Sequence, residues 1–256
     1  LGIVHRAKAS HVGSALSIVD MLAVIFNHDG YNFIINNELD SRDSFILSKG
    51  HACTALYATL FNKGLLSQEM IEAYGMNDSP LMHHISHKVP FVDFSSGSLG
   101  HGLPVTIGLA KADQINHVHY NRVCVVGDGE LAEGSNWEAL LFAAHHKLGN
   151  VTLIIDHNNL QSLNTVEDTL NLYPIADKMS AFGCHVLEID GHNHEDIKSA
   201  LMLPTASKPK VIIMNTTKGK GVSFMENSVR WHYKNPDDTE LSLALAELKY
   251  GGSIDA

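Results

Sequence analysis

Cysteine is scarce in this sequence of 256 residues. There are three, Cys53, Cys124 and Cys184, at no spacing that suits a metal site or a redox pair. That pattern argues against a disulfide framework and implies reduced thiols in a cytoplasmic protein. Neither HExxH nor CxxC occurs, which leaves a zinc hydrolase with little support. Positive charge is short as well. Lys and Arg total 18 against 28 Asp and Glu, a formal charge of −10, and this balance lacks the basic face that a nucleic-acid partner needs. No apolar stretch approaches membrane-spanning length. No linker rich in Pro, Gly or Ser divides the chain, no repeat is visible, and no secretory signal opens it. It starts at Leu1 rather than Met, in a segment that reads as helix, so residues are expected to precede it.

What is present in excess is histidine, 17 residues. A metal-binding tract would cluster them, whereas here only His83, His84 and His87 come close to a tract, with His117/His119, His145/His146 and His192/His194 as pairs. The question becomes which histidines sit where chemistry would use them.

Short apolar runs alternate with helical patterns. Phe45 to Leu47, Arg122 to Gly127, Val151 to Asp156, Cys184 to Asp190 and Val211 to Thr216 read as strands, mostly continuous apolar runs of the kind buried on both faces. Helices are predicted over Ser17 to Phe26, Ala52 to Asn62, Leu103 to Ile115, Glu133 to Leu148 and His194 to Leu203, with Pro174 opening another and a terminal helix running through Leu248. The predicted class is α/β: one domain over residues 1–256, a parallel sheet with helices on both faces. Ligands of such sheets bind outside the carboxyl ends of the strands.

Two of those ends carry a pattern together. Gly127-Asp128-Gly129-Glu130 follows one strand and Asp156-His157-Asn158-Asn159-Leu160 the next. Asp128 and Asn158 are thirty positions apart, and an intervening helix of about sixteen residues, about 24 Å, returns the chain to the same sheet edge. A carboxylate, an amide oxygen and a backbone carbonyl two residues on, at Leu160, form an oxygen set suited to Mg²⁺. Gly127 and Gly129 let phosphate approach backbone N–H groups, and the helix starting near Glu133 adds its N-terminal dipole. Each segment alone reads as a turn; paired on adjacent strands, they are far more specific.

With these motifs the chain resembles the N-terminal, thiamine diphosphate-binding half of transketolases over nearly its whole length. Further segments match: His11-Val12-Gly13-Ser14-Ala15-Leu16-Ser17, Leu47-Ser48-Lys49-Gly50-His51-Ala52, Gly97-Ser98-Leu99-Gly100-His101-Gly102, Lys218-Gly219-Lys220-Gly221-Val222 and Trp231-His232. The resemblance implies a thiamine diphosphate-binding fold, with Asp128, Asn158 and the Leu160 carbonyl holding Mg²⁺ (or Ca²⁺ in its place). It implies cofactor contacts from Ser14, His51, Gly97, Ser98, Leu99, Gly129, Lys218 and His232. His11, His51, His83 and His232 become the catalytic candidates, since neutral imidazoles can donate to a developing alkoxide or accept a hydroxyl proton. Glu133 is implied at a subunit interface, beyond its plain reading as a favourable charge in a first helical turn.

The chain departs from the family pattern at Ser14-Ala15, at His101, and at Tyr233, a bulky residue beside the implied substrate entrance. The family's pyrimidine-binding and C-terminal domains have no counterpart in these residues. They are expected on a separate chain, a C-terminal partner subunit in an α₂β₂ assembly. The implied reaction is transfer of a two-carbon ketol unit from a ketose, or its phosphate, to an aldose. Alternatives are a 2-oxo acid decarboxylating relative and a non-catalytic assembly subunit with a vestigial site.

Overall fold

The computed structural model describes residues 1–33 and 41–251. Three short helices, α1 (Gly2–Ala7), α2 (Val12–Leu16) and α3 (Val19–Ile25), precede strand β1 (Ser44–Leu47). A 3-10 turn at Gly50–Ala52, α4 (Cys53–Asn62), α5 (Gln68–Glu72) and α6 (Gly102–Asn116) lead to β2 (Arg122–Gly127). After β2 come a 3-10 turn at Gly129–Ala132, α7 (Gly134–His145) and β3 (Val151–His157). Helices α8 (Val166–Leu170) and α9 (Ile175–Ala181), β4 (His185–Asp190), α10 (His194–Met202) and β5 (Lys210–Asn215) complete the sheet. A 3-10 turn at Val229–His232 and α11 (Asp238–Gly251) follow.

The five strands are all parallel, in the order β1-β2-β3-β5-β4. The continuous apolar runs now have their physical reason. Val123, Val125, Ile154, Ile212 and Met214 face a layer formed by α1 to α5 and α10. Cys124, Val126, Leu153, Ile155, Val211 and Ile213 face α6, α7 and α9. A two-faced sheet leaves no solvent side to read as alternation. All three cysteines are unbonded and buried, and no helix among the described residues is long and apolar enough to cross a membrane.

Several boundaries differ from expectation. The helix expected over Ser17 to Phe26 is present but shorter: α3 runs Val19–Ile25, and Ser17 instead caps the C-terminus of α2, which was not expected as a separate helix. The Ser17 hydroxyl lies 2.6 Å from Asp156 and 3.0 Å from the Ser14 carbonyl, so its single proton is directed away from α3 at the turn between the two helices. Pro174 and Glu133 stand just outside their helices as extended N-caps, with ψ of 125° and 123°. The connection from β2 to β3 thus carries a helix of 12 residues, not the longer one expected.

Candidate active site

Parallel strands bring the exits of β1, β2, β3 and β5 to one sheet edge, where loops enclose a cavity of about 280 Å³. Asp128, Asn158 and Leu160 all line it. Asp128 is 2% exposed. One of its oxygens accepts the Gly129 N–H at 2.7 Å and the other the Asn159 N–H at 2.6 Å. Burial first, then the charge of Asp156, pushes its carboxyl up to about 6, so an adjacent cation would be strongly favoured. The Asn158 amide is oriented by its NH₂ group, which donates to Asp156 at 2.9 Å, while its Oδ1 accepts the Leu160 N–H at 3.1 Å. The Leu160 and Gln161 carbonyls accept from Lys218 Nζ at 3.3 and 3.1 Å, so positive charge already suits that position. Carboxylate, amide and carbonyl oxygens are the donor chemistry of a hard divalent cation. Among the described residues, no cluster of His, Cys, Asp and Glu offers a softer metal an alternative site.

Two buried groups that sequence reasoning passed over hold this edge together. Lys49 donates to Asp156, which also accepts from Ser17 and, at 2.5 Å, from Thr216. Asp156 therefore fastens the loops after β1 and β5, the α2–α3 turn and the Asn158 amide in the loop after β3. Glu130 accepts from the Ser48 hydroxyl and from the Gly100 N–H at 2.8 Å, joining the glycine-rich loop to the loops after β1 and β2. Gly100 has φ of +83°, and a Cβ there would lie 2.6 Å from the Glu133 Cβ, so glycine is required at that close approach. Gln161 Nε2 is buried on the same wall with no hydrogen-bond partner, an orphan donor suited to an anionic ligand. The sequence held one signal for Asp156: it ends a strand two residues before a proposed metal ligand.

The histidines separate sharply. His11, His51 and His232 line the cavity, with ring centroids of His11 5.2 Å from His51 and 4.9 Å from His232. His83 does not join them. Its ring lies tilted beside Tyr74, centroids 5.3 Å apart, and His84 lines the cavity, 5.6 Å from His11. In a loop without periodicity the sequence gives no phase from which to predict the side-chain direction of His83 or His84. Burial lowers His11 to about 4, with added repulsion from His84, Lys218, His83 and Lys49. Burial, followed by Lys218, lowers His232 to about 3, and burial takes His51 well below its ordinary value. These three rings are neutral at pH 7. Their NMR carbon–proton signals are expected to hold neutral shifts from pH 8 to 5.5; a titration near 6.5 at any of them would refute this. Because the folded values lie below the unfolded one, these groups withdraw stability as pH falls from about 6.5 toward 4.

Ser14, Gly97, Leu99, Gly129 and Lys218 also line the cavity, whereas Ser98 is exposed and absent from its lining. Ser98, expected with Gly97 and Leu99, sits at a bend and is exposed in the chain taken alone. Burial, then the Lys49 charge, lowers the Lys218 ammonium to about 8. Glu133 is exposed at the α7 N-terminus. Tyr233 stands 59% exposed at the cavity wall, its ring 4.7 Å from His232.

Residues 1–251 match the family model described as transketolase, thiamine diphosphate binding domain. The chain belongs to the transketolase family. It is 38% identical over 248 residues to one of the subunits of apulose-4-phosphate transketolase from Phocaeicola vulgatus, covering 96% of this chain and 88% of that one. It is 35% identical over 251 residues to the 6-deoxy-6-sulfo-D-fructose transketolase subunit SqwG of Clostridium sp. (strain MSTE9), covering 97% and 91%. The crystal structure of transketolase from Campylobacter jejuni superposes with a TM-score of 0.89 at 30% identity, covering 99% of this chain but 41% of that one. The transketolase fold is thus shared across nearly all of this chain, which spans less than half the length of that solved transketolase.

Proposed function

We propose that this chain is the N-terminal subunit of a split transketolase, a transferase that moves a two-carbon ketol unit from a ketose or ketose phosphate to an aldose. The observation carrying this reading is that one cavity gathers the oxygen set of Asp128, Asn158 and Leu160 with the neutral imidazoles of His11, His51, His84 and His232. Two relatives of similar length are named as transketolase subunits rather than whole transketolases, which supports a separate partner carrying the pyrimidine-binding half. A C-terminal subunit in an α₂β₂ assembly is the arrangement proposed, with Glu133 at the subunit interface and the complex in the cytoplasm.

Asp128, Asn158 and the Leu160 carbonyl would hold Mg²⁺, or Ca²⁺ in its place. Backbone N–H groups at Gly129 and the Lys218 ammonium would meet the diphosphate, with Ser14, Gly97, Leu99, His51 and His232 around the rest of the cofactor. When bound, thiamine diphosphate supplies the carbon nucleophile and electron sink needed to cleave a bond beside a ketose carbonyl. The protein's task is then proton handling and positioning. A neutral imidazole can donate to an oxyanion and accept a hydroxyl proton without changing the net charge of the resting site. Tyr233, exposed at the cavity wall beside His232, would border the substrate entrance.

Mixing the chain with its C-terminal partner, thiamine diphosphate and Mg²⁺ is expected to give two-carbon transfer from xylulose 5-phosphate to ribose 5-phosphate or with another donor–acceptor pair. Failure with every pair would sink the proposal, and release of CO₂ from pyruvate would favour a 2-oxo acid decarboxylating reading instead.

A further inference from the structure

His192 reads in the sequence as an ordinary histidine in a surface turn. Its ring nevertheless bridges two elements. Nδ1 lies 2.8 Å from Asp20 in the first turn of α3, and Nε2 accepts the backbone N–H of Thr217 at 2.8 Å. A backbone N–H can only donate, so Nε2 is the unprotonated nitrogen, and the ring proton on Nδ1 is donated to Asp20. Asp20 is held from a second side by His194 Nε2 at 3.0 Å. Burial would raise the Asp20 carboxyl, but the bonds from His192 and His194 outweigh it and keep the group below its ordinary value. The carboxylate thus fixes both the orientation and the tautomer of the imidazole.

The turn bearing His192 is built for this contact. The Gly191 N–H donates to the Asn215 carbonyl at 2.9 Å, and the His192 N–H to Asp190 Oδ1 at 2.9 Å. A Cβ on Gly191 would come within 2.4 Å of Thr216 Cγ2 and 2.9 Å of Met214 Cβ. Glycine therefore allows the turn to lie directly on the exit of β5. The segment it touches carries Lys218, whose ammonium reaches the Leu160 and Gln161 carbonyls at the metal loop. Neighbouring residues of that segment are pinned too, Thr216 to Asp156 at 2.5 Å and Gly219 to the Gly13 carbonyl at 3.0 Å.

We infer that His192, oriented by Asp20, is a positioning residue that sets the Thr217–Lys218 backbone and thereby aims the Lys218 ammonium at the diphosphate end of the cofactor cavity. A decorative turn histidine would need neither a fixed tautomer nor an acceptor aimed at a cofactor loop. This inference rests on the cofactor reading above for its consequence, but not for its geometry.

The test has two arms. Hydrogen exchange on the chain needs no cofactor: His192→Leu and Asp20→Ala are expected to speed exchange of the Thr217 to Gly219 amides about tenfold, leaving β3 and α4 unchanged. His192→Gln, which keeps an acceptor near the position of Nε2, is expected to restore most of the protection. Calorimetry with thiamine diphosphate and Mg²⁺, on the chain assembled with its partner, is expected to show about tenfold weaker binding for His192→Leu. In a Lys218→Met background the same substitution should add less than about twofold, because the two residues act in series. Unchanged exchange at Thr217 to Gly219 overturns the inference, as does a full tenfold loss in the Lys218→Met background. If the wild-type assembly binds no cofactor, the functional reading fails, and the exchange arm still decides the role of His192.

Discussion

Asp128→Ala is expected to weaken Mg²⁺-dependent binding of thiamine diphosphate by at least about 100-fold, since even residues behind a metal ligand are worth about 10- to 100-fold. The same substitution should not lower the stability of the cofactor-free chain appreciably. Asp128 is a buried carboxylate whose folded value, about 6, lies above the unfolded value of 3.8. The sign of linkage follows: above pH 6 its charge opposes folding, and the penalty is relieved as pH falls through 6 toward 3.8. Removing it exposes the Gly129 and Asn159 amides to the cavity, where water can serve them. A variant that keeps its melting temperature while losing cofactor affinity is the signature of a ligand held for binding rather than for folding. Calorimetry with and without a chelator measures one half, and thermal unfolding without cofactor the other. Unchanged affinity would remove Asp128 from the metal site. A large fall in melting temperature would show that its two amide contacts matter more than its charge.

How much of this was legible beforehand depended on what carries the signal. The strands could be read because burial on both faces makes residues such as Val123 to Val126 uniformly apolar, and the β2–helix–β3 spacing placed Asp128 and Asn158 at one edge. The turn at Ser17 that delays the start of α3 could not be read, because the Ser17 hydroxyl is engaged by Asp156, 139 positions away. Lys49 and Glu130 were passed over for a similar reason. In sequence a lysine and a glutamate look like solvated charges, and it takes the folded sheet edge to show that both are almost wholly buried. His84 and His83 could not be told apart because the choice rests on side-chain direction in an irregular loop. The exposure of Ser98 beside Gly97 and Leu99 was illegible for the same reason.

The histidine excess also takes a different form once the rings are located. Four of them, His11, His51, His84 and His232, line the cavity, and each is held below its ordinary value chiefly by burial. His157, at the end of β3, is tied to Asn159 by Tyr173, whose hydroxyl lies between the two. His192 touches the Lys218 segment through Thr217. Position around the sheet edge, rather than clustering along the chain, separates the rings that line or adjoin the cavity from those in surface turns such as His117 and His119.

The second large effect concerns folding itself. Lys49 and Asp156 form an ion pair with side chains 2% and 0% exposed. Burial alone would raise the Asp156 carboxyl. The Lys49 charge, with hydrogen bonds from Lys49, Ser17 and Thr216, overcomes that and holds it below its ordinary value. Lys49→Met removes the cation and leaves a carboxylate with hydrogen bonds but no counter-charge, a change of the class that costs about 3–5 kcal/mol. Stability should be partly recovered in Lys49→Met/Asp156→Asn, because the stranded charge is gone while an amide can still bond Ser17 and Thr216. The pH dependence distinguishes a stranded charge from lost packing. In the wild type, the Asp156 contribution is complete above the unfolded value of 3.8 and is lost only as pH falls through its lowered folded value. In Lys49→Met the burial that raises this carboxyl loses its main opponent, so the folded value is expected to rise and the penalty to shrink on acidification. Urea unfolding at pH 7.5 and at pH 5 is therefore expected to show a smaller gap between wild type and Lys49→Met at the lower pH. A gap independent of pH would mean that Lys49 acts through the packing of its stem, and that the hydroxyls around Asp156 suffice to keep its charge in the interior.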